Sequence, residues 1–357
     1  MFTTSLRHVP LIAVVALVLT AIPMTGVAYQ DAPRSPWQEY TPSPFNFWRF
    51  DAEDVATLNR IYVLGGRLAD LTTDGSIWSF TVGMPGSWAF TGTTLNTPVS
   101  NYDIAMLNDQ SGLGLYVIGG RTGGGTMTTA VQVYYPQTNT ATTISTDPWP
   151  GLAENGTVPF PGGVAVANNR AYAFGGFSGT ALSAETWVYD PSAPAGTRWT
   201  QGPDLGMARA YIASAVLGNR YVFAIGGDDW DGTSLIPQPI VERLDTRNLA
   251  AGWIRVADLP PASSGIAGCD ENRAFGVGTS IVVAGCGQWN GVPSELADCF
   301  LYNALGDTWA SYPSLNQARR NHAGALIQRG NRRYLYVLGG RQDTDTNILN
   351  ISEVSIP

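Results

Sequence analysis

The chain contains no lysine, so its 20 basic residues are all arginine. Without a lysine amine, catalysis through a Schiff base with a carbonyl substrate is excluded. The 28 acidic residues outnumber the arginines and give a formal net charge of −8. Binding of nucleic acid requires a net basic surface, so we expect no nucleic-acid partner.

Long apolar runs are missing except near the N-terminus, where Arg7 and His8 precede an apolar stretch from Leu11 to Ile22. This stretch is too short for a membrane-spanning helix, which needs about 20 apolar residues. It is followed by small residues up to Ala28, a pattern typical of a secretory signal peptide over residues 1–28. The sequence therefore predicts a protein that is secreted, periplasmic or held at the cell surface, with no membrane span after signal removal.

Histidine and cysteine are scarce, with two and three copies. Removal of the signal peptide leaves His322 as the single histidine, which argues against metal centres built from several histidines. We expect no metal and no cofactor. The cysteines lie within one short region of an exported chain, which predicts one disulfide, between Cys286 and either Cys299 or Cys269.

A glycine pair follows a short apolar strand in five places, and a sixth place has Gly285 followed by cysteine. The second positions of these pairs are Gly66, Gly120, Gly176, Gly227, Cys286 and Gly340, at spacings between 51 and 59 residues. A tryptophan ladder runs out of phase with the glycine pairs and comprises Trp88, Trp199, Trp253 and Trp309, with Ala141 in place of tryptophan in the second copy. The sequence therefore predicts six copies of one supersecondary unit.

Each copy holds four strand candidates separated by turns. A single four-stranded sheet cannot bury both of its faces, whereas copies stacked face to face around an axis can. The recurring apolar strand, glycine pair, Tyr-Asp-like pair and tryptophan resemble the kelch family. The resemblance covers residues 37–357 and implies an all-β, six-bladed kelch-type β-propeller with four antiparallel strands per blade.

The order of the pieces predicts how the propeller closes. The C-terminal segment, which contains Val354, matches the third strand of a blade whose fourth strand is missing. Trp37 stands where a tryptophan-bearing fourth strand is expected, so the N-terminal strand is predicted to complete the last blade. Residues 29–36 are then a short tail between the signal peptide and the propeller.

Two positions in each copy are predicted to share one face of the propeller, because the first two strands run down and back. These positions are the loop before the first strand and the residue after the glycine pair, which is Gln288 in the fifth copy. From this face we take as candidate ligand-binding residues Arg67, Arg121, Arg209, Tyr211, Asp228, Arg273, Arg320, His322 and Arg341.

Guanidiniums that converge with aromatic rings suit a carboxylated or polyhydroxylated ligand. The same arginines can instead bond the carbonyls and aspartates of neighbouring loops and serve the fold. The sequence predicts a monomeric binding module for carbohydrate or an extracellular protein. The family resemblance implies an alternative, a cofactor-independent sugar mutarotase similar to N-acetylneuraminate epimerase, which needs a carboxylate held near an arginine.

Overall fold

The computed structural model describes residues 37–289, 293–342 and 347–357. The predicted signal peptide (1–28) and tail (29–36) lie outside the described residues. The described residues form six four-stranded antiparallel sheets and two short hairpins. The sheets are the blades of a β-propeller, which confirms the architecture predicted from the six repeats.

The first three blades each use four consecutive strands. Blade 1 consists of β2 (Ala52–Val55), β3 (Arg60–Arg67), β4 (Thr73–Thr81) and β5 (Ser87–Thr94). Blade 2 consists of β6 (Ile104–Asp109), β7 (Gly112–Ile118), β8 (Val131–Tyr135) and β9 (Thr140–Thr143). Blade 3 consists of β10 (Phe160–Ala167), β11 (Arg170–Phe177), β12 (Leu182–Tyr189) and β13 (Trp199–Gln201).

Blades 4 and 6 carry an additional hairpin between their second and third strands, which the repeat pattern does not predict. Blade 4 consists of β14 (Ala213–Leu217), β15 (Tyr221–Ile225), β18 (Val241–Asp245) and β19 (Trp253–Arg255), with the hairpin β16 (Asp228–Trp230) and β17 (Leu235–Pro237). Blade 5 consists of β20 (Arg273–Val277), β21 (Ser280–Trp289), β22 (Pro293–Asn303) and β23 (Thr308–Tyr312). Blade 6 consists of β24 (Ala323–Arg329), β25 (Arg332–Leu338), β28 (Ser352–Ser355) and β1 (Gln38–Tyr40), with the hairpin β26 (Arg341–Gln342) and β27 (Asn347–Ile348). The described helices are two 3-10 turns, Ala56–Leu58 and Leu249–Ala251.

The N-terminal strand closes the propeller as predicted. In blade 6, β1 pairs antiparallel with β28, with Gln38 opposite Val354 and Tyr40 opposite Ser352. Trp37 is buried next to this strand, and its indole nitrogen donates to the carbonyl of Pro313 at 2.9 Å. Strands from the first and last described parts of the chain therefore belong to one sheet, in which β1 covers the edge of β28.

The tryptophan ladder marks equivalent positions in the blades. Each ladder residue lies opposite an apolar or aromatic residue of the third strand: Trp88 opposite Phe80, Ala141 opposite Tyr134, Trp199 opposite Tyr189, Trp253 opposite Leu244 and Trp309 opposite Tyr302. Three of the indole nitrogens donate to carbonyls in the connection that leads into their own blade, at Asp147, Pro203 and Ala257. The outermost strands thus also attach each blade to its neighbour.

The glycine pairs are needed for a backbone reason at their first position. All six first glycines have φ between 60° and 78°, a region that favours glycine. A Cβ at Gly226 would lie 2.2 Å from the carbonyl oxygen of Cys269, so the neighbouring blade also excludes a side chain there. In blade 5 the first glycine, Gly285, is retained, and Cys286 occupies the second position without a positive φ.

The hydrophobic core lies between neighbouring blades. One buried cluster joins Tyr172 and Phe174 of blade 3 to Val222 and Ala224 of blade 4. The first strands surround a channel along the axis, with a cavity of about 390 Å³ lined by residues of all six blades. Within the described residues, no helix is long and apolar enough to cross a membrane.

Candidate functional site

In each blade, a residue of the loop before the first strand pairs with the residue that follows the glycine pair. The two predicted positions of each copy therefore share one face. The pairs are Trp48–Arg67, Ser100–Arg121, Phe160–Phe177, Ala210–Asp228, Asp270–Gly287 and Arg320–Arg341. We call this end of the blades the loop face. In blade 5 the position belongs to Gly287, so the prediction of Gln288 is wrong by one residue.

In each blade, the residue that follows the first member of the pair in sequence belongs to a ring around the axis. Five of them have φ between 50° and 58°: Arg49, Asn101, Tyr211, Glu271 and Asn321. Their backbones are linked in sequence, because Asn101 donates to Arg49, Arg49 to Asn321, Asn321 to Glu271 and Glu271 to Tyr211, at 2.8 to 3.3 Å. We call these five residues the axial ring. Pro161 of blade 3, which has no backbone N–H, takes the sixth position.

The axial ring lines a small cavity of about 50 Å³ on the loop face. Phe160 and Tyr211 form part of its wall, and Asn272 and His322 reach it from the start of blades 5 and 6. This volume is small and suits a carboxylate-sized group better than a whole sugar ring.

Glu271 is the carboxylate at the centre of this cavity. It accepts hydrogen bonds from Arg49 at 3.2 Å, from Arg320 at 2.9 Å and from the Asn321 amide at 2.5 Å. Burial alone would raise its pKa, but the charges of Arg320, Arg49 and Arg341 lower the pKa of Glu271 below its usual value. Glu271 is therefore ionised and is a poor proton acceptor.

Three guanidiniums surround the buried indole of Trp48. The guanidinium carbon of Arg341 lies 4.1 Å from the ring centroid, and those of Arg49 and Arg67 lie 5.0 Å from it. The guanidinium of Arg67 makes no hydrogen bond or ion pair with any described residue, although only 8% of the residue is exposed. Burial, and then the charges of Arg49 and Arg121, lower the pKa of Arg67 to about 10.

Arg121 occupies the equivalent position in blade 2. Its guanidinium also has no hydrogen-bond or ion-pair partner among the described residues, and its Nε atom is buried. A Cβ at Gly123 would lie 3.2 Å from the backbone nitrogen of Thr73, so the loops that follow Arg121 and Arg67 touch. Burial, and then the charge of Arg49, lower the pKa of Arg121. We call Arg67 and Arg121 the unpaired arginines.

Arg209, a predicted ligand-binding residue, points into its own blade and not towards a ligand. It is fully buried and donates to the carbonyls of Gly226 and Ile240 and to the carboxylate of Glu242. All of these partners belong to its own blade, so Arg209 is committed to the fold. It does not line the cavity.

Arg319 repeats this arrangement in blade 6. It donates to the carbonyls of Gly339 and Ile351, both at 3.1 Å, and to Glu353 at 2.7 Å. In blade 5 the equivalent position is Cys269, which forms a disulfide with Cys286. Cys299 remains a buried free thiol. A disulfide therefore replaces the arginine contacts in this blade.

Arg273 separates the cavity of the loop face from the axial channel. It forms ion pairs with Asp103 and, at 3.6 Å, with Asp51, and it donates to the carbonyls of Phe50 and His322. Below it, Asp51 and Glu53 face the channel. Burial, followed by the charges of Asp51 and Asp54, raises the pKa of Glu53 to about 8.

The remaining candidates lie on the loop face in uncharged states. Asp228 is fully buried, and burial and its neighbour Asp270 raise its pKa well above the usual value. Burial, and then Arg319 and Arg273, lower the pKa of His322 well below its usual value, so its ring is neutral. The His322 ring nitrogens have no hydrogen-bond partner among the described residues.

Aromatic rings cover the part of the loop face formed by blades 3 and 4. Phe160 packs on Tyr211 at 5.3 Å between centroids, and Phe177 packs on Trp230 at 5.2 Å. Tyr211 and Trp230 remain partly exposed. The loop face thus has a cationic part, in blades 6, 1 and 2, and an aromatic part. No cluster of side chains suited to a metal ion occurs in the part of the chain that the structure describes.

Comparison with known proteins identifies the repeat. The Kelch motif family matches residues 160–206, which contain the four strands of blade 3. The chain is a kelch-repeat β-propeller. This kelch propeller is also similar to a solved chain described as the structure of YjhT, with a TM-score of 0.67 and 17% sequence identity, over 89% of this chain and 99% of that chain. At this identity the similarity concerns the fold alone, and no curated protein sequence matches the chain.

Sequence reasoning misses Trp48, Arg49 and Glu271, which the structure places in and beside the cavity. Arg49 precedes the first strand of blade 1, in a loop whose sequence differs from the arginine-containing loops around Arg209 and Arg320. Their position in the repeat could have identified them. Arg49 and Glu271 each follow directly after a residue that pairs with the position behind the glycine pair.

Proposed function

We propose that this kelch propeller is an exported binding module for an acidic carbohydrate, free or carried by a cell-surface partner. The observation that carries the proposal is the pair of unpaired arginines, because a buried or half-buried guanidinium without a counter-charge is stabilised by an anionic ligand. A guanidinium also matches the geometry of a carboxylate through two parallel hydrogen bonds. The small cavity on the same face, which neither of these arginines lines, has room for a further group of that size.

The aromatic part of the loop face supports a carbohydrate as the carrier of the acidic group. The partly exposed ring of Trp230 offers an apolar face on which a sugar ring packs. The ring of Tyr211 is also partly exposed but already contacts Phe160 and the guanidinium of Arg49. In this arrangement the acidic group points towards blades 1 and 2 and the sugar ring covers blades 3 and 4. The disulfide between Cys269 and Cys286 supports export, since such bonds persist mainly in oxidising compartments.

Calorimetry of the purified protein with neutral hexoses, hexuronic acids and sialic acids tests this proposal. We expect binding by acidic members only, and a loss of affinity of about tenfold or more when Arg67 or Arg121 is replaced by glutamine. Arg60→Gln is the matched control, because Arg60 lies exposed at the opposite end of the same strand β3 as Arg67. The proposal fails if no acidic sugar binds, or if Arg60→Gln weakens binding as much as Arg67→Gln.

A sugar mutarotase is the second candidate, because Glu271 is a carboxylate held beside arginines at the cavity. Its lowered pKa makes it a weak base, and Asp103, the other carboxylate lining the cavity, is paired with Arg273. These pairings favour binding over proton transfer. The rate at which the α and β anomers interconvert, measured by NMR from their anomeric proton signals, separates the two candidates. An acceleration by the protein that disappears in Glu271→Gln would favour the enzyme.

A further inference from the structure

Resting on the proposed function, we infer that the ligand of the loop face is a sugar carrying two negative charges, which the unpaired arginines neutralise together. The charges reside either on two carboxylates or on one phosphate ester. Most arginines of the loop face have an anionic partner within the protein, and Arg67 and Arg121 have none among the described residues.

The carboxylates of the loop face are already used by other arginines. Glu271 accepts from Arg49 and Arg320, and Glu295 accepts from Arg320 at 2.6 Å. Asp228 is held as a neutral acid by burial and by Asp270. No described carboxylate lies within ion-pair distance of Arg67 or Arg121. The guanidiniums of Arg67 and Arg121 thus have no ion-pair partner among the described residues, in a protein whose formal net charge is −8.

The two unpaired arginines are close enough to act on one ligand. They occupy equivalent positions in adjacent blades, bridged to Trp48 and Ser100 respectively. The loops that follow them touch at Gly123 and Thr73. Their guanidiniums also repel each other enough for the charge of Arg121 to lower the pKa of Arg67. A monoanion would leave one of these charges without a partner, whereas a dianion neutralises both.

Trp48 explains why this excess charge is tolerated in the absence of ligand. The electron-rich face of an indole attracts cations, and Trp48 is the contact shared by Arg67 and Arg49. Such a contact stabilises a cation without forming hydrogen bonds. The N–H donors of Arg67 therefore stay available for oxygen atoms of a ligand.

Calorimetry with four probes in each of the galactose and glucose series tests the inference: the neutral hexose, the hexuronic acid, the diuronic acid and the hexose 6-phosphate. We expect at least one dianion to bind about tenfold or more tightly than the monoanionic uronic acid. Arg67→Gln and Arg121→Gln are each expected to reduce this preference to less than about threefold. Arg60→Gln should leave it unchanged.

The outcomes distinguish this inference from the proposed function. Equal affinity for monoanions and dianions overturns the inference and leaves acidic-sugar binding standing. A dianion preference that survives in both glutamine variants also overturns it. Tight binding of the diuronic acid alone supports two carboxylates, and tight binding of the phosphate alone supports one doubly charged group. Absence of binding by every acidic probe overturns both proposals.

Discussion

Arg319 of blade 6 and Arg67 of blade 1 are both buried guanidiniums at the loop face, and their surroundings are opposite. Arg319 has a buried glutamate and two carbonyls as partners, whereas Arg67 has the face of Trp48 and no hydrogen bond or ion pair with described residues. The difference comes from position in the repeat. Arg209 and Arg319, which precede first strands, each reach a glutamate in the third strand of their own blade. Arg67, which follows a glycine pair, lies over the ring of Trp48. Burial alone therefore does not identify a structural arginine, and its partners do.

The largest effect is expected for Arg319→Ala. The substitution leaves the carboxylate of Glu353 buried without its cation and removes one donor from the carbonyls of Gly339 and Ile351. Breaking one partner of a buried ion pair costs about 3–5 kcal/mol of unfolding free energy. Urea denaturation of the variant and of the parent measures the difference. A loss below about 1 kcal/mol would show that Arg319, like Arg67, contributes little to stability, and the contrast between the two arginines would not hold.

Removal of the disulfide by Cys269→Ala with Cys286→Ala should have the next largest effect. The bond closes a sequence separation of 17 residues, and a loop of that size contributes about 3 kcal/mol through the entropy of the unfolded chain. Thermal unfolding with and without reductant measures this effect. Cys299→Ala is the control, because it removes a free thiol and should retain the response to reductant. If the double variant is as stable as the parent, the disulfide does not replace the arginine contacts.

Carboxylates show the same contrast between paired and unpaired groups, with Glu353 paired and Glu53 facing the channel. The raised pKa of Glu53 means that the folded state binds its proton more tightly than the unfolded chain, whose value is near 4.5. The stability from this proton is present below pH 4.5 and is lost as pH rises to about 8. Glu53→Gln should therefore match the parent near pH 4 and exceed it at pH 8.5, by on the order of 2 kcal/mol. A parallel pH dependence of the two proteins in urea denaturation would contradict the shift.

The smallest effect on stability is expected for Arg67→Gln. No hydrogen bond or ion pair with a described residue is broken, and relief of the repulsion from Arg49 and Arg121 offsets the loss of the contact with Trp48. The unfolding free energy should change by less than about 0.5 kcal/mol or increase. Thermal unfolding without ligand measures this change. A loss comparable to that of Arg319→Ala would assign Arg67 to the fold and end its candidacy as a ligand-binding residue.

The architecture could be predicted because every blade repeats the same local pattern. The glycine pairs fix the second strands, the tryptophans fix the fourth, and the missing fourth strand at Val354 fixes the role of Trp37. The loop face could be predicted for the same reason. The pairing of its arginines could not, because Glu242 and Glu353 lie 33 and 34 residues away from Arg209 and Arg319. Which carboxylate meets which arginine is decided by tertiary packing that no local pattern specifies.

The axial ring has a consequence for how this protein can change over evolution. The hydrogen bonds that link its members in sequence join backbone atoms, so they form whatever side chain each blade presents at positions 49, 101, 211, 271 and 321. The left-handed backbone is the main restriction, and it disfavours β-branched residues while tolerating asparagine, as at Asn101 and Asn321. Chemical selectivity can therefore drift one position at a time while the scaffold stays the same. Relatives with this ring can be expected to differ in what they recognise far more than in how they fold.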